Sequence, residues 1–166
     1  MIAYKFLAHG RLGPVSGVAW PEPGVWLETA GELAPCARGV HVCRTQDLAH
    51  WLSDELWELE TSGEAVAGVD CLVVAKAQLV RRVDTWSEGG AARFTAACAA
   101  HALATAGALQ SAHELVNDSK LAAAAGYFAV SAYCAALAVA KTSRDTEQAY
   151  RSERAWQGAW IARELL

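Results

Sequence analysis

Apolar and acidic residues alternate one by one through Trp57-Glu58-Leu59-Glu60, the period-two pattern of a strand with one buried face. Ile2 to Leu7 reads as a strand on the same grounds, as do Glu55 to Thr61 and Val69 to Ala75. Gln78 to Val83 is another strand or a continuation of the last, and Val25 to Glu28 is a short one. Between them, Gly10-Arg11-Leu12-Gly13-Pro14 and Pro21-Glu22-Pro23-Gly24 have loop chemistry: proline removes a backbone donor and glycine permits a turn. Thr45 is placed to cap a short helix running through Trp51, with Asp47 near its positive end. Glu58 and Glu60 share a strand face that reads as solvated, with nothing complementary in view.

After Ser87-Glu88-Gly89-Gly90 the pattern changes. All four prolines lie before this point, and the remaining chain is dominated by alanine. It predicts helices over 90–107, 108–118, 120–141 and 144–164, with Asn117-Asp118-Ser119 as a break and cap. Glu147 and Arg151 form a surface pair four residues apart. Trp156 and Trp160 share one stripe of the last helix, directed at the sheet or at the Ala-rich helix before it. The expected architecture is α+β: a small, mostly antiparallel sheet with one short helix over 1–86, then an Ala-rich bundle of three or four helices over 90–166 packed on it.

From Leu121 to Ala140 there is no charged residue, and roughly 20 residues are what a bilayer span requires. Most of the segment is alanine, however, diluted further by Gly126, Tyr127, Ser131 and Tyr133. Insertion is driven by Leu, Ile, Phe and Val, so a small-faced helix among partner helices fits better than a membrane span.

Composition narrows the class. With 54% hydrophobic and 19% charged residues in 166 positions, the chain is far from the disordered regime and can bury a core. A net charge of −4 without any Lys/Arg run offers no general attraction to a phosphate backbone, so no nucleic-acid partner is expected. The five cysteines, at 36, 43, 71, 98 and 134, lack the dense spacing of a secreted disulfide scaffold. The first residues show no basic region followed by a long apolar stretch, so no signal peptide is expected either. A reducing, cytoplasmic setting follows.

The chemistry concentrates in Cys36-Ala37-Arg38-Gly39-Val40-His41-Val42-Cys43. Gly39 can turn the chain at positive φ, and the β-branched residues beyond it favour an extended backbone. His41 and Cys43 then project from one strand face. Cys36, His41 and Cys43 are zinc-ligand types in a C-x4-H-x-C spacing, with His9 or Cys71 needed as a fourth ligand. Closed zinc sites usually carry a second paired motif, and none is present, so a metal-free protein is expected. The same residues could serve as a Cys nucleophile and a His acid/base, with Asp47 as the orienting group, although nothing marks an oxyanion hole. In the bland alternative, Cys36 and Cys43 are small buried hydrophobes and His41 is hydrogen-bonded at the sheet edge. His101 and His113 belong to no paired ligand motif and read as ordinary helix residues.

Two resemblances bear on function. His9-Gly10, followed by Gly39-Val40-His41-Val42-Cys43 and a helix ending at Trp51, resembles the outline of ADP-ribosyltransferases. That resemblance implies NAD as cofactor and a role for His9, but Val40 or His41 stands where the family stacks an aromatic residue on nicotinamide. The N-terminal half also resembles a domain family of bacteriophages and bacteria to which no activity is assigned. The resemblance rests on Tyr4-Lys5, the Cys36–Cys43 turn-strand, Asp47 to Trp51, and the strand Trp57-Glu58-Leu59-Glu60-Thr61-Ser62-Gly63 with its Glu-x-x-Gly end. Val40 departs from its usual aromatic residue. The Ala-rich half loosely resembles bacterial helical proteins with an Arg…Trp-Gln ending, here Arg154-Ala155-Trp156-Gln157.

The leading expectation is a cytoplasmic binding or interaction protein with a pocket lined by Trp and the Cys/His turn. Its partners would be a small apolar molecule or a protein, a second copy of the chain included, and not a membrane. The rival is a small-molecule enzyme using His41 with Cys36 or Cys43, or NAD with His9.

Overall fold

The computed structural model describes all residues from Met1 to Leu166. The fold is α+β, and chain contacts divide it into one unit over Met1–Thr85 and another over Trp86–Leu166.

The first unit is an antiparallel sheet of five strands: β1 (Ile2–Leu7), β2 (Leu27–Glu28), β3 (Val40–Val42), β4 (Glu55–Ala67) and β5 (Leu72–Arg82). The long β4–β5 hairpin is its spine, with β1 on the free edge of β4. β2 and β3 follow one another along the free edge of β5, at Lys76–Ala77 and Leu72–Val74. Register shifts between Glu58 and Leu59 and between Ser62 and Ala65 mark irregularities in β4, the kind of feature that bends a strand and increases its twist. The sheet curls far enough for the residue after β3 to return to β1. Cys43 and Tyr4 exchange two backbone hydrogen bonds, of 2.9 and 2.7 Å. Hydrogen bonding thus runs from β1 through β4, β5 and β3 back to β1. Ala3, Leu7, Trp20, Val40, Val42, Leu59, Val74 and Leu79 are buried together in one core.

The alternation around Trp57 survives in the structure: Trp57 and Leu59 are buried, Glu58 is half-buried and Glu60 exposed. Both glutamates nevertheless have cross-strand partners, contrary to expectation. Arg81 donates to Glu58 at 2.6 Å and Gln78 to Glu60 at 2.7 Å. The predicted strands at 69–75 and 78–83 are one continuous β5. The expected short helix is a 3-10 helix, Thr45–Trp51, and Arg44 rather than Thr45 stands at its N-terminus. There Asp47 accepts from the Arg44 backbone N–H at 3.0 Å and from its guanidinium, so a carboxylate inside the helix does the capping.

The second unit is a bundle of four helices: α1 (Glu88–Ala106), α2 (Gln110–Ala124), α3 (Phe128–Lys141) and α4 (Thr146–Leu165). The Ser87 hydroxyl caps α1 and the Asp145 carboxylate caps α4. No helix is long and apolar enough to cross a membrane. The uncharged stretch from Leu121 belongs to two helices, joined through Gly126 at φ +78°. Asn117-Asp118-Ser119 does not break the chain; α2 runs through it, and the buried Ser119 hydroxyl meets that of Ser131 in α3 at 3.1 Å. Ala132, Ala135, Ala136 and Ala138 of α3 are buried, and α3 touches the other three helices, as the small-faced reading requires. Trp156 and Trp160 meet α1: Trp156 stacks on His101 at 3.9 Å between centroids, and Trp160 lies 5.6 Å from Phe94.

Candidate functional site

A cleft of about 580 Å³ opens in the first unit. β3 and the turn before it form one wall, supplying Cys36, Ala37, Gly39, His41 and Cys43. Lys5 and Phe6 of β1, the 13–18 loop, Trp20, Leu27, Thr29, Trp51 and Cys71 complete the lining. Three of the four residues singled out for chemistry therefore meet at one cavity. His9 is not among its lining residues: it is exposed, and its backbone N–H donates to Asp54 at 3.0 Å.

The turn is built tightly. Gly39 sits at φ +125°, and a Cβ there would come within 2.2 Å of Val73 Cγ1. Cys36 adopts φ +63°, a left-handed conformation uncommon for a side-chain-bearing residue. His41 holds both ends of this turn. Its Nδ1 lies 3.1 Å from the Gly39 carbonyl, and its Nε2 accepts the Cys36 backbone N–H at 3.0 Å. An accepting Nε2 leaves the proton on Nδ1, so the ring is the neutral Nδ1–H tautomer with both nitrogens engaged.

Those bonds limit what the cluster can do. A base or metal ligand needs a free imidazole lone pair, and the one on Nε2 is occupied by Cys36 N–H. Cys43 is buried, and desolvation pushes its thiol up to about 12 despite the nearby Lys5 ammonium, so it stays protonated at neutral pH. Burial also raises the Cys71 thiol. Cys36 is the exposed thiol of the turn. Nowhere in the chain do three or more His, Cys, Asp or Glu side chains group so as to hold a metal ion. Asp47 is tied to Arg44, outside the cleft lining.

Lys5 is the site residue that sequence reasoning passed over. It occupies the same parity of β1 as the buried Ala3 and Leu7, so its side chain enters the apolar interior. Its Nζ donates to the His41 carbonyl at 2.7 Å and lies 5.5 Å from the centre of the Trp20 ring. Burial pulls the Lys5 pKa below its ordinary value. The available signal was a lone cation within an inward-facing strand pattern. Trp51 is fixed at another part of the lining, its indole N–H donating to the Asp70 carbonyl at 2.6 Å.

An antiparallel sheet unit carrying an apolar cleft, followed by a helical bundle, is the class of molecule that these features define. Comparison with protein-family models, curated proteins and solved structures finds no match for the chain.

Proposed function

We propose that this is a binding protein whose N-terminal unit takes a small apolar molecule into the cleft beside the Cys36–Cys43 turn. The cavity itself carries the reading: its size falls within the range of small-molecule sites, and its walls are mostly apolar with a few polar groups. The hydrogen bonds of His41 favour binding over catalysis, because a ring that clamps its own turn is poorly placed to shuttle protons. Five free cysteines support a reducing, cytoplasmic setting as part of the proposal. The resemblance to a phage and bacterial domain family adds no activity to this reading.

The test is a screen of small apolar compounds by intrinsic tryptophan fluorescence and native mass spectrometry. The exposed cleft residue Ala37, replaced by Trp, should weaken any hit at least tenfold by filling the cavity. An activity lost on His41→Ala or Cys43→Ala, in a protein that binds none of the compounds, would overturn the binding reading in favour of a thiol enzyme. NAD binding lost on His9→Ala would overturn it in favour of the transferase.

A further inference from the structure

We infer that the ligand of this cleft carries an acidic head, a carboxylate on an apolar body, and that Lys5 is the group that receives it. The inference rests on the binding reading above and adds the ligand's chemical class. An ammonium offers three donors, and Lys5 Nζ has one hydrogen-bond partner, the His41 carbonyl. No carboxylate lies within ion-pair distance of it, whereas the nearby Arg44 is paired with Asp47. A cation taken partly out of water is costly unless it is paired, so the cleft holds an uncompensated charge. The face of Trp20 stabilises that charge in part but leaves its remaining donors free. A carboxylate entering the cleft would supply the missing counter-charge and accept a charge-assisted hydrogen bond.

The rim identifies the other half of the ligand. Val15 and Val18, in the loop that lines the cleft, are 84% and 55% exposed. Apolar side chains left in water beside a mainly apolar cavity gain burial when a hydrocarbon body covers them. Two of the three thiols lining the cleft, Cys43 and Cys71, have their acidities suppressed by burial, so neither puts a negative charge in competition with the ligand head.

The experiment compares decanoate, 1-decanol and decylamine, three probes with one tail and different heads. Binding is measured by tryptophan fluorescence titration on the intact chain, on Lys5→Met and on Lys5→Arg. Decanoate is expected to bind the natural chain at least tenfold more tightly than decanol, and decylamine least. Lys5→Met should erase the preference of decanoate over decanol, with an unaltered far-UV circular dichroism spectrum showing that the variant is folded. Lys5→Arg should keep the preference. Equal binding of decanoate and decanol by the natural chain would overturn the acidic-head inference and leave the apolar cleft standing. If Lys5→Met fails to fold, that comparison of heads on the natural chain decides alone. Failure of all three probes to bind would overturn both readings together.

Discussion

Gly39 and Cys36 show how much of the site depends on single backbone positions. At φ +125° with Val73 Cγ1 only 2.2 Å from any added Cβ, Gly39 has no room for a side chain. Gly39→Ala should therefore cost about 3 kcal/mol or more, combining left-handed strain with a clash against a core valine, and should abolish ligand binding in the cleft. Chemical denaturation of the intact chain measures it; a loss under about 1 kcal/mol would mean that the turn re-forms elsewhere. The thiols give a second residue-scale prediction. Cys36 is exposed, whereas Cys43 and Cys98 are buried with their acidities suppressed by desolvation. A thiolate-selective reagent should modify Cys36 first in the native protein and reach Cys43 and Cys98 only on unfolding. Rapid native labelling of Cys43 would contradict the closed geometry around it. The positive φ at Gly39 was legible in the sequence. The role of Lys5 was not, because a charge among inward strand positions acquires meaning only once the cleft beside it exists.

At the scale of elements, what the sequence displays depends on whether the deciding contact is local. The alternation in β4 and the alanine content of α3 are local patterns, and they specify a half-buried strand and a small-faced helix directly. Asn117-Asp118-Ser119 looked like a break because three polar residues with turn preferences stand together. They lie inside α2 all the same, and the buried contact made there, Ser119 to Ser131, spans 12 residues and belongs to helix packing. The partners of Glu58 and Glu60 lie 23 and 18 residues away, in a register displaced by an irregularity that no spacing rule foretells. The true break is at Gly126. Its φ of +78° faces open space, so Gly126→Ala meets no clash and should lose only about 1 kcal/mol from left-handed strain. Removing the buried pair one side at a time should reveal coupling. Ser119→Ala and Ser131→Ala should each cost about 1 kcal/mol, and the double variant less than their sum, since the second removal leaves no unsatisfied hydroxyl behind.

For the whole molecule, helix exceeds strand, so the far-UV circular dichroism spectrum should be helix-dominated, and the α+β class with its change of character near Trp86 could be read from composition alone. Its pH response could not be, since it depends on burial within the bundle. Glu153 of α4 is 1% exposed at its side chain, with Arg154 beside it and Gln157 within 3.5 Å. His101 Nδ1 stands 2.9 Å from its carboxylate, at ion-pair distance but without hydrogen-bond alignment. Desolvation raises the Glu153 pKa above its ordinary 4.5, outweighing the lowering by His101, Gln157 and Arg154. A carboxyl group raised in the folded state keeps its proton at a pH where the unfolded chain has lost it. Its contribution to stability is then greatest below 4.5 and declines as pH climbs from there through the raised value. Glu153→Gln keeps the shape and hydrogen-bonding capacity of the protonated acid without the charge. The variant should match the natural chain near pH 4 and unfold at a higher temperature near pH 7, the difference between the two growing as pH rises between about those limits. Thermal unfolding followed at a helix wavelength across that range tests it. A variant less stable than the natural chain at every pH would show that the pairing of Glu153 with His101 and Arg154 outweighs the cost of burying its charge.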